Sequence, residues 1–208
     1  MLCKVIGAAV QGIDAIKVDI EVSVDWGSNF VLVGLPDTAV KESAERVRCA
    51  INEAGHEFPR KNVVINLSPA DVKKEGTSYD LPMAVGVLGA EEKVSTEKLD
   101  RYMLMGELSL DGTLRAVKGA LPMAIVARSL KLDGFILPRA NALEAAVVNN
   151  LNVYGVDTLQ DVISFLNNEK QLEPTVVDTR AEFARAQGSF PYDFDEVKGQ
   201  ENVKRAFE

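Results

Sequence analysis

Ser78 is the side chain in this sequence with the best claim to chemistry. It lies in a polar stretch that reads Val72-Lys73-Lys74-Glu75-Gly76-Thr77-Ser78-Tyr79-Asp80-Leu81-Pro82. A strand-like run at 62–67 precedes it, and an apolar, helix-compatible run at 83–88 follows. A hydroxyl presented between a strand and a helix N-terminus sits among unpaired backbone N–H groups, so it could serve as a nucleophile beside an oxyanion hole. The simpler reading of the same serine is a polar helix cap. Lys73, Lys74 and Glu75 read as loop charges, although a basic pair beside a hydroxyl also suits a phosphate or an acidic partner.

Other chemistries find little support. Cys3 and Cys49 are the only cysteines and His56 is the only histidine, so there is no disulfide framework or paired-thiol metal motif. A zinc hydrolase or a Cys-His peptidase is excluded on the same ground, and no metal site is expected. The formal charge of -8 argues against a broad basic face for nucleic acid, while leaving room for a small local patch.

The elements that must position Ser78 are legible around it. Over 208 residues, 47% of them apolar, one domain of ordinary size plus an appendage is expected. Residues 15–25 alternate apolar and charged side chains, the mark of a strand with one face in water. With glycine-bearing turns on either side, residues 1–34 read as an antiparallel meander ending in a short, buried strand at 30–34. Asp37 is placed to cap a helix carrying Val40, Ala44, Val47 and Ile51 on one stripe and ending near Gly55. Its other face, with Lys41, Glu42, Glu45, Arg46 and Arg48, reads as solvated surface. Asp80 is placed to cap the helix after Ser78, with Pro82 in the first turn.

Beyond it, a strand at 101–110 turns at Asp111-Gly112, and helix 120–130 leads to a buried strand at 135–138. Helix 141–148, strand 151–156 and a last helix opened by the capping-box pattern Thr158-Leu159-Gln160-Asp161 complete a βαβ-like half. Periodicity fades from 167, giving the expected organisation: a domain over 1–167, a linker over 168–190, and a new module opening over 191–208.

The focal stretch resembles the serine-lysine peptidase domain of Lon-type proteases. Lys74-Glu75-Gly76-Thr77-Ser78 aligns with the family's Pro-Lys-Asp-Gly-Pro-Ser pattern and places Ser78 at the nucleophile. Met105-Gly106-Glu107-Leu108-Ser109-Leu110-Asp111-Gly112 resembles the Thr-Gly-Glu-Ile-Thr-Leu-x-Gly strand and turn that follow. Counting on, the position of the family's catalytic lysine falls at Leu121, which cannot act as a base; Lys118 lies one helical turn away. The resemblance implies an α+β sandwich like the second domain of ribosomal protein S5, with a mainly antiparallel sheet and helices on one side. Leu121 is expected to face Ser78, and no catalytic residue is expected.

The tail extends the resemblance. Residues 192–208, with Val197-Lys198-Gly199-Gln200 and then Lys204-Arg205-Ala206, resemble the opening of an AAA+ module in the magnesium-chelatase-like proteins of the ComM/YifB group. There a Lon-like domain precedes the ATPase. Val197, Gly199 and Gln200 would flank the adenine. The Walker A pattern G-x-x-x-x-G-K-[ST] does not occur in the sequence, so the chain holds no cofactor of its own by this reading.

The resemblance implies that these residues are the N-terminal part of a longer hexameric motor using ATP and Mg2+. Its partners would be its own AAA+ module, further copies of itself and DNA, as in members that act on branched DNA taken up in competence. A cytoplasmic location without membrane contact is expected. The domain is then a non-catalytic accessory to a helicase or branch-migration ATPase, against the alternatives of a Ser-Lys peptidase or a protein-remodelling or chelatase-related subunit.

Overall fold

The computed structural model describes residues 2–178 and 197–207. They fall into two compact units, Met1–Val176 and Val177–Glu208. In the first, strand β1 (Leu2–Gln11) returns through the two-residue turn Gly12-Ile13 into β2 (Asp14–Asp25), and the two pair antiparallel without a break. The alternation read in the sequence is real: Val18, Ile20, Val22 and Val24 of β2 are buried while Asp19, Glu21 and Ser23 are half-exposed.

The expected meander does not form. Strand β3 (Phe30–Val33) pairs parallel with β4 (Asn62–Ser68), and β4 lies between β3 and β2. A parallel pair needs a crossover, supplied here by α1 (Thr38–Lys41) and α2 (Ser43–Glu53). As an edge strand β3 leaves Val31 and Val33 exposed, so it is not the buried strand the sequence suggested. Asp37 does cap α1, accepting from Val40 N at 2.8 Å. Helix α2 ends as expected at Gly55, where Gly55 N donates to Asn52 O and His56 N to Ile51 O, the paired bonds of a Schellman motif.

Helix α3 (Asp80–Ala90) is buried along its whole length. Its apolar sequence leaves no polar face to turn outward, so it serves as the central core helix. Its start is followed in the chain by β5 (Tyr102–Leu104) and a separate small ribbon of β6 (Glu107–Leu108) with β7 (Leu114–Arg115). The single strand expected over 101–110 is therefore split at Met105-Gly106.

The second half carries out the βαβ reading. Helix α4 (Ala120–Ser129) joins β5 to β8 (Gly134–Pro138), and α5 (Arg139–Ala145) joins β8 to β9 (Asn152–Val156), each pair parallel. Helix α6 (Leu159–Leu166) opens with the expected capping box, in which Thr158 and Asp161 bond reciprocally.

The sheet runs β3-β4-β2-β1-β5-β8-β9, and four of its six pairings are parallel. It is a mixed, mostly parallel sheet, not a mainly antiparallel one, because the crossovers outnumber the hairpins. Helices also flank both faces. Gly86 of α3 packs against Val22 and Val5, while Gly119, before α4, packs against Val10. Val5 and Val10 project to opposite faces by the two-residue alternation of an unbroken strand.

The chain stays on this unit to Val176, with Thr175 N donating to Val153 O and Leu172 against the core. Among the described residues no helix is long and apolar enough to cross a membrane.

Candidate functional site

The loop between β4 and α3 is held from three directions. Its middle is bridged to the chain entering α1, with Lys74 N donating to Leu35 O at 3.1 Å and Asp37 N to Lys74 O at 2.9 Å. The Asp37 carboxylate, besides capping α1, accepts from Gly76 N at 3.1 Å. On the far side, Gly106 N donates to Ser78 O at 2.8 Å and Leu81 N to Gly106 O at 3.0 Å. Thr77 Oγ1 hydrogen-bonds Glu107. A segment that reads as a polar loop is thus a fixed part of the fold.

Lys74 is not the loop charge its sequence suggested. Its side chain is fully buried and its ammonium donates to Pro69 O. Burial holds it below the usual lysine range, against a smaller opposing pull from Asp71. Lys73 stays outside in an exposed pair with Glu75, at 2.6 Å.

Asp80 is the second correction. It is the first residue of α3, with Tyr79 as the N-cap, so its carboxylate does not cap the helix. The fully buried group instead meets Arg46 of α2 at 2.6 and 3.0 Å and accepts from Leu108 N at 3.2 Å. Burial pushes its pKa up to about 6, with Arg46 and the Leu108 N–H pulling back and Glu107 adding to the rise. Arg46, read as part of a solvated helix face, is therefore an internal partner, and it also donates to Ala39 O. Nothing in the local pattern announces this, because the two residues are brought together only when α2 packs on α3.

Ser78 sits in the turn before α3 and is 9% exposed. It lines a cavity of about 590 Å³ whose walls include the end of β1, the loop at 75–79, Glu107 and residues 116–119. Among the described residues its hydroxyl has no hydrogen-bond partner, and no ammonium bonds to it. Leu121 does not face Ser78 across this cavity: it is 38% exposed and its N–H donates to Glu144 at 3.1 Å. Lys118, three residues earlier, does line the cavity and has neither a hydrogen bond nor an ion pair among the described residues. Lys118 and Leu121 are both exposed, but only Lys118, in the stretch leading into α4, lies on the wall of this cavity.

No cluster of three histidine, cysteine or acidic side chains that could hold a metal lies among the described residues. In the second unit, Val197 is 45% exposed, and Gln200 O accepts from Val203 N and Lys204 N at the start of α7 (Glu201–Phe207). Gly199 precedes Gln200 there. Residues 192–196, the rest of the expected opening of an ATPase module, lie outside the described residues.

Fold and site define a helix-flanked, mostly parallel mixed sheet with a polar cleft at the start of its central helix. The family described as subunit ChlI of Mg-chelatase matches residues 20–141, and the chain belongs to that family. It is of the ComM/YifB type. Competence protein ComM of Haemophilus influenzae is 37% identical over 206 residues, covering 99% of this chain and 40% of the relative. YifB of Escherichia coli is 40% identical over 204 residues, covering 96% and 38%. Lon protease 2 of Bacillus subtilis is more distant, 25% identical over 126 residues, covering 59% of this chain and 22% of the protease. The chain thus spans about 40% of the length of ComM and YifB.

Proposed function

We propose that this chain is a non-catalytic, Lon-like accessory domain of a magnesium-chelatase-like AAA+ ATPase, helping its ring to assemble or presenting substrate to it. The observation that carries this reading is the Ser78 hydroxyl, which lines the cleft at the start of α3 with no base bonded to it. A serine needs a base to become a nucleophile. The fold belongs, by this reading, with the second domain of ribosomal protein S5.

The whole protein then draws on ATP and Mg2+, with Val197, Gly199 and Gln200 beside the adenine, and works in the cytoplasm as a homo-hexamer on DNA. The name of the ComM relative, a competence protein, supports DNA processing of the branch-migration or helicase type. The test is ATP hydrolysis by the full-length protein with and without branched DNA, repeated after deletion of residues 1–176. Hydrolysis stimulated by DNA and weakened by the deletion is expected. Hydrolysis indifferent to DNA assigns the motor to protein remodelling instead.

One observation favours a second reading, a Ser-Lys peptidase: Lys118 lines the same cavity as Ser78. That reading requires fluorophosphonate to label the chain and Ser78→Ala to abolish the label. Absent or unchanged labelling removes it.

A further inference from the structure

The cleft holds polar groups without a partner among the described residues. Ser78 is 9% exposed and its hydroxyl has no hydrogen-bond partner among the described residues, while Lys118, an exposed residue with no ion pair among them, lines the same cavity. The backbone N–H groups of Thr77, Ser78 and Tyr79 have no acceptor among the described residues, and no side chain caps α3, which begins at the next residue. An ammonium, a hydroxyl and free N–H groups at a helix start together form a receptor for a negatively charged oxygen.

A second feature lies alongside. The hairpin closes on Gln11 opposite Asp14, so residues at even positions of β1 turn their backbone groups away from β2. On that side β1 pairs with β5 only at Ile6, opposite Met103. Farther along, Ala8 N reaches the Met105 thioether, a weak acceptor, at 3.3 Å, and no strand covers Val10. Ala8 and Val10 both line the cavity. The uncovered end of β1 at Val10 thus lines the same cavity as Ser78 and Lys118.

We propose that this cleft binds the C-terminal carboxylate of an extended polypeptide without cleaving it. Lys118, Ser78 and the loop N–H groups hold the carboxylate, and the uncovered backbone of Val10 at the end of β1 pairs with the last residue of the peptide. A carboxylate fits better than a phosphate because Asp37, Glu75 and Glu107 share the walls, and a dianion meets more repulsion from them than a monoanion does. The cavity size is ordinary for a ligand pocket. This inference rests on the non-catalytic reading and supplies the substrate class that such a domain would present.

The test uses the 208-residue chain and a fluorescent alanine-valine hexapeptide, made once with a free C-terminal carboxylate and once as the C-terminal amide. The free acid is expected to bind at least about tenfold more tightly than the amide, as loss of a charge-assisted contact implies. Lys118→Met, an exposed position that supports no other contact, is expected to remove that preference. Ser78→Ala is expected to weaken the free acid severalfold while the unfolding midpoint stays put.

Equal affinity for acid and amide, or no binding of either at millimolar peptide, overturns the proposal. Displacement of the peptide by an equal concentration of inorganic phosphate overturns it in favour of a phosphate site. Cleavage of the peptide sinks the non-catalytic reading itself, a result separate from failure of carboxylate preference.

Discussion

Arg46 grips Asp80 through two hydrogen bonds, Nε to Oδ2 at 2.6 Å and Nη2 to Oδ1 at 3.0 Å, tying α2 to the first residue of α3. Because Asp80 is fully buried, removal of the guanidinium strands its charge. Arg46→Ala is expected to lower stability by roughly 3–5 kcal/mol in urea unfolding at neutral pH. Asp80→Asn, which keeps an acceptor and removes the charge, is expected to cost less.

The same pair predicts a pH dependence. Asp80 has its folded pKa raised to about 6, so its stabilising contribution is full below the unfolded carboxylate value and is lost as pH rises through the folded one. Without Arg46 the folded pKa climbs further, and the stranded carboxyl can be neutral in mild acid. The Arg46→Ala deficit is therefore expected to shrink at about pH 5 relative to about pH 8. Equal deficits at both would mean that the charge of Asp80 is not what the guanidinium compensates.

The two thiols are expected to differ. Cys3 is 3% exposed and burial pushes its pKa up to about 11, whereas Cys49 is half-buried. The thiolate is the reactive form. With a disulfide reagent at about pH 8, one equivalent should react on the native protein and the second only on unfolding. Rapid modification of both would place Cys3 outside the core.

Asp37 serves two elements with one carboxylate, capping α1 and holding Gly76 N. Asp37→Ala should therefore cost about 1–2 kcal/mol, the upper part of the range for a lost cap. A cap alone would affect only α1. Amide exchange is expected to rise at 75–79 as well, and unchanged protection there would show that Leu35 and Gly106 hold the loop without it.

These features divide by how far apart in the chain their causes lie. The alternation of β2, the Asp37 cap, the Thr158 capping box and the apolar run of β8 are local, and each stands in the structure where the sequence puts it. What the sequence does not show is the partner of each element. Nothing between residues 25 and 62 announces that β4 will enter beside β2 and push β3 to the edge. Lys74 has the side chain of a surface residue, and only the packing of its loop against the chain entering α1 buries it.

The site was legible to the same degree. Ser78 stands where a strand gives way to a helix start, as its neighbours imply, and it does line a cleft. Which side chains share the cleft with it was not legible, since counting on from Gly112 along the Lon pattern picks out Leu121, whereas Lys73 and Lys118 line the cavity. Arg46 was hidden for another reason: an arginine among lysines and glutamates reads as solvated surface until a buried acid from another helix meets it.

Gly34 provides the sharpest test of the β3 and β4 arrangement. A Cβ there would lie 2.2 Å from Leu67 O and under 3 Å from Leu67 C and N, all of them backbone atoms of a central strand, and the residue has a φ of 98°. Gly55 has a similar φ of 80° with nothing within 4 Å. Gly55→Ala should carry only the conformational cost, about 1 kcal/mol. Gly34→Ala carries that cost and a clash that no side-chain rotation relieves, so a loss on the order of 3 kcal/mol or more is expected. Thermal or urea unfolding of the two variants side by side isolates the clash, because the left-handed backbone is common to both. Similar losses would mean that β4 can give way at Leu67, and that the parallel pairing of β3 with β4 is looser than its register implies.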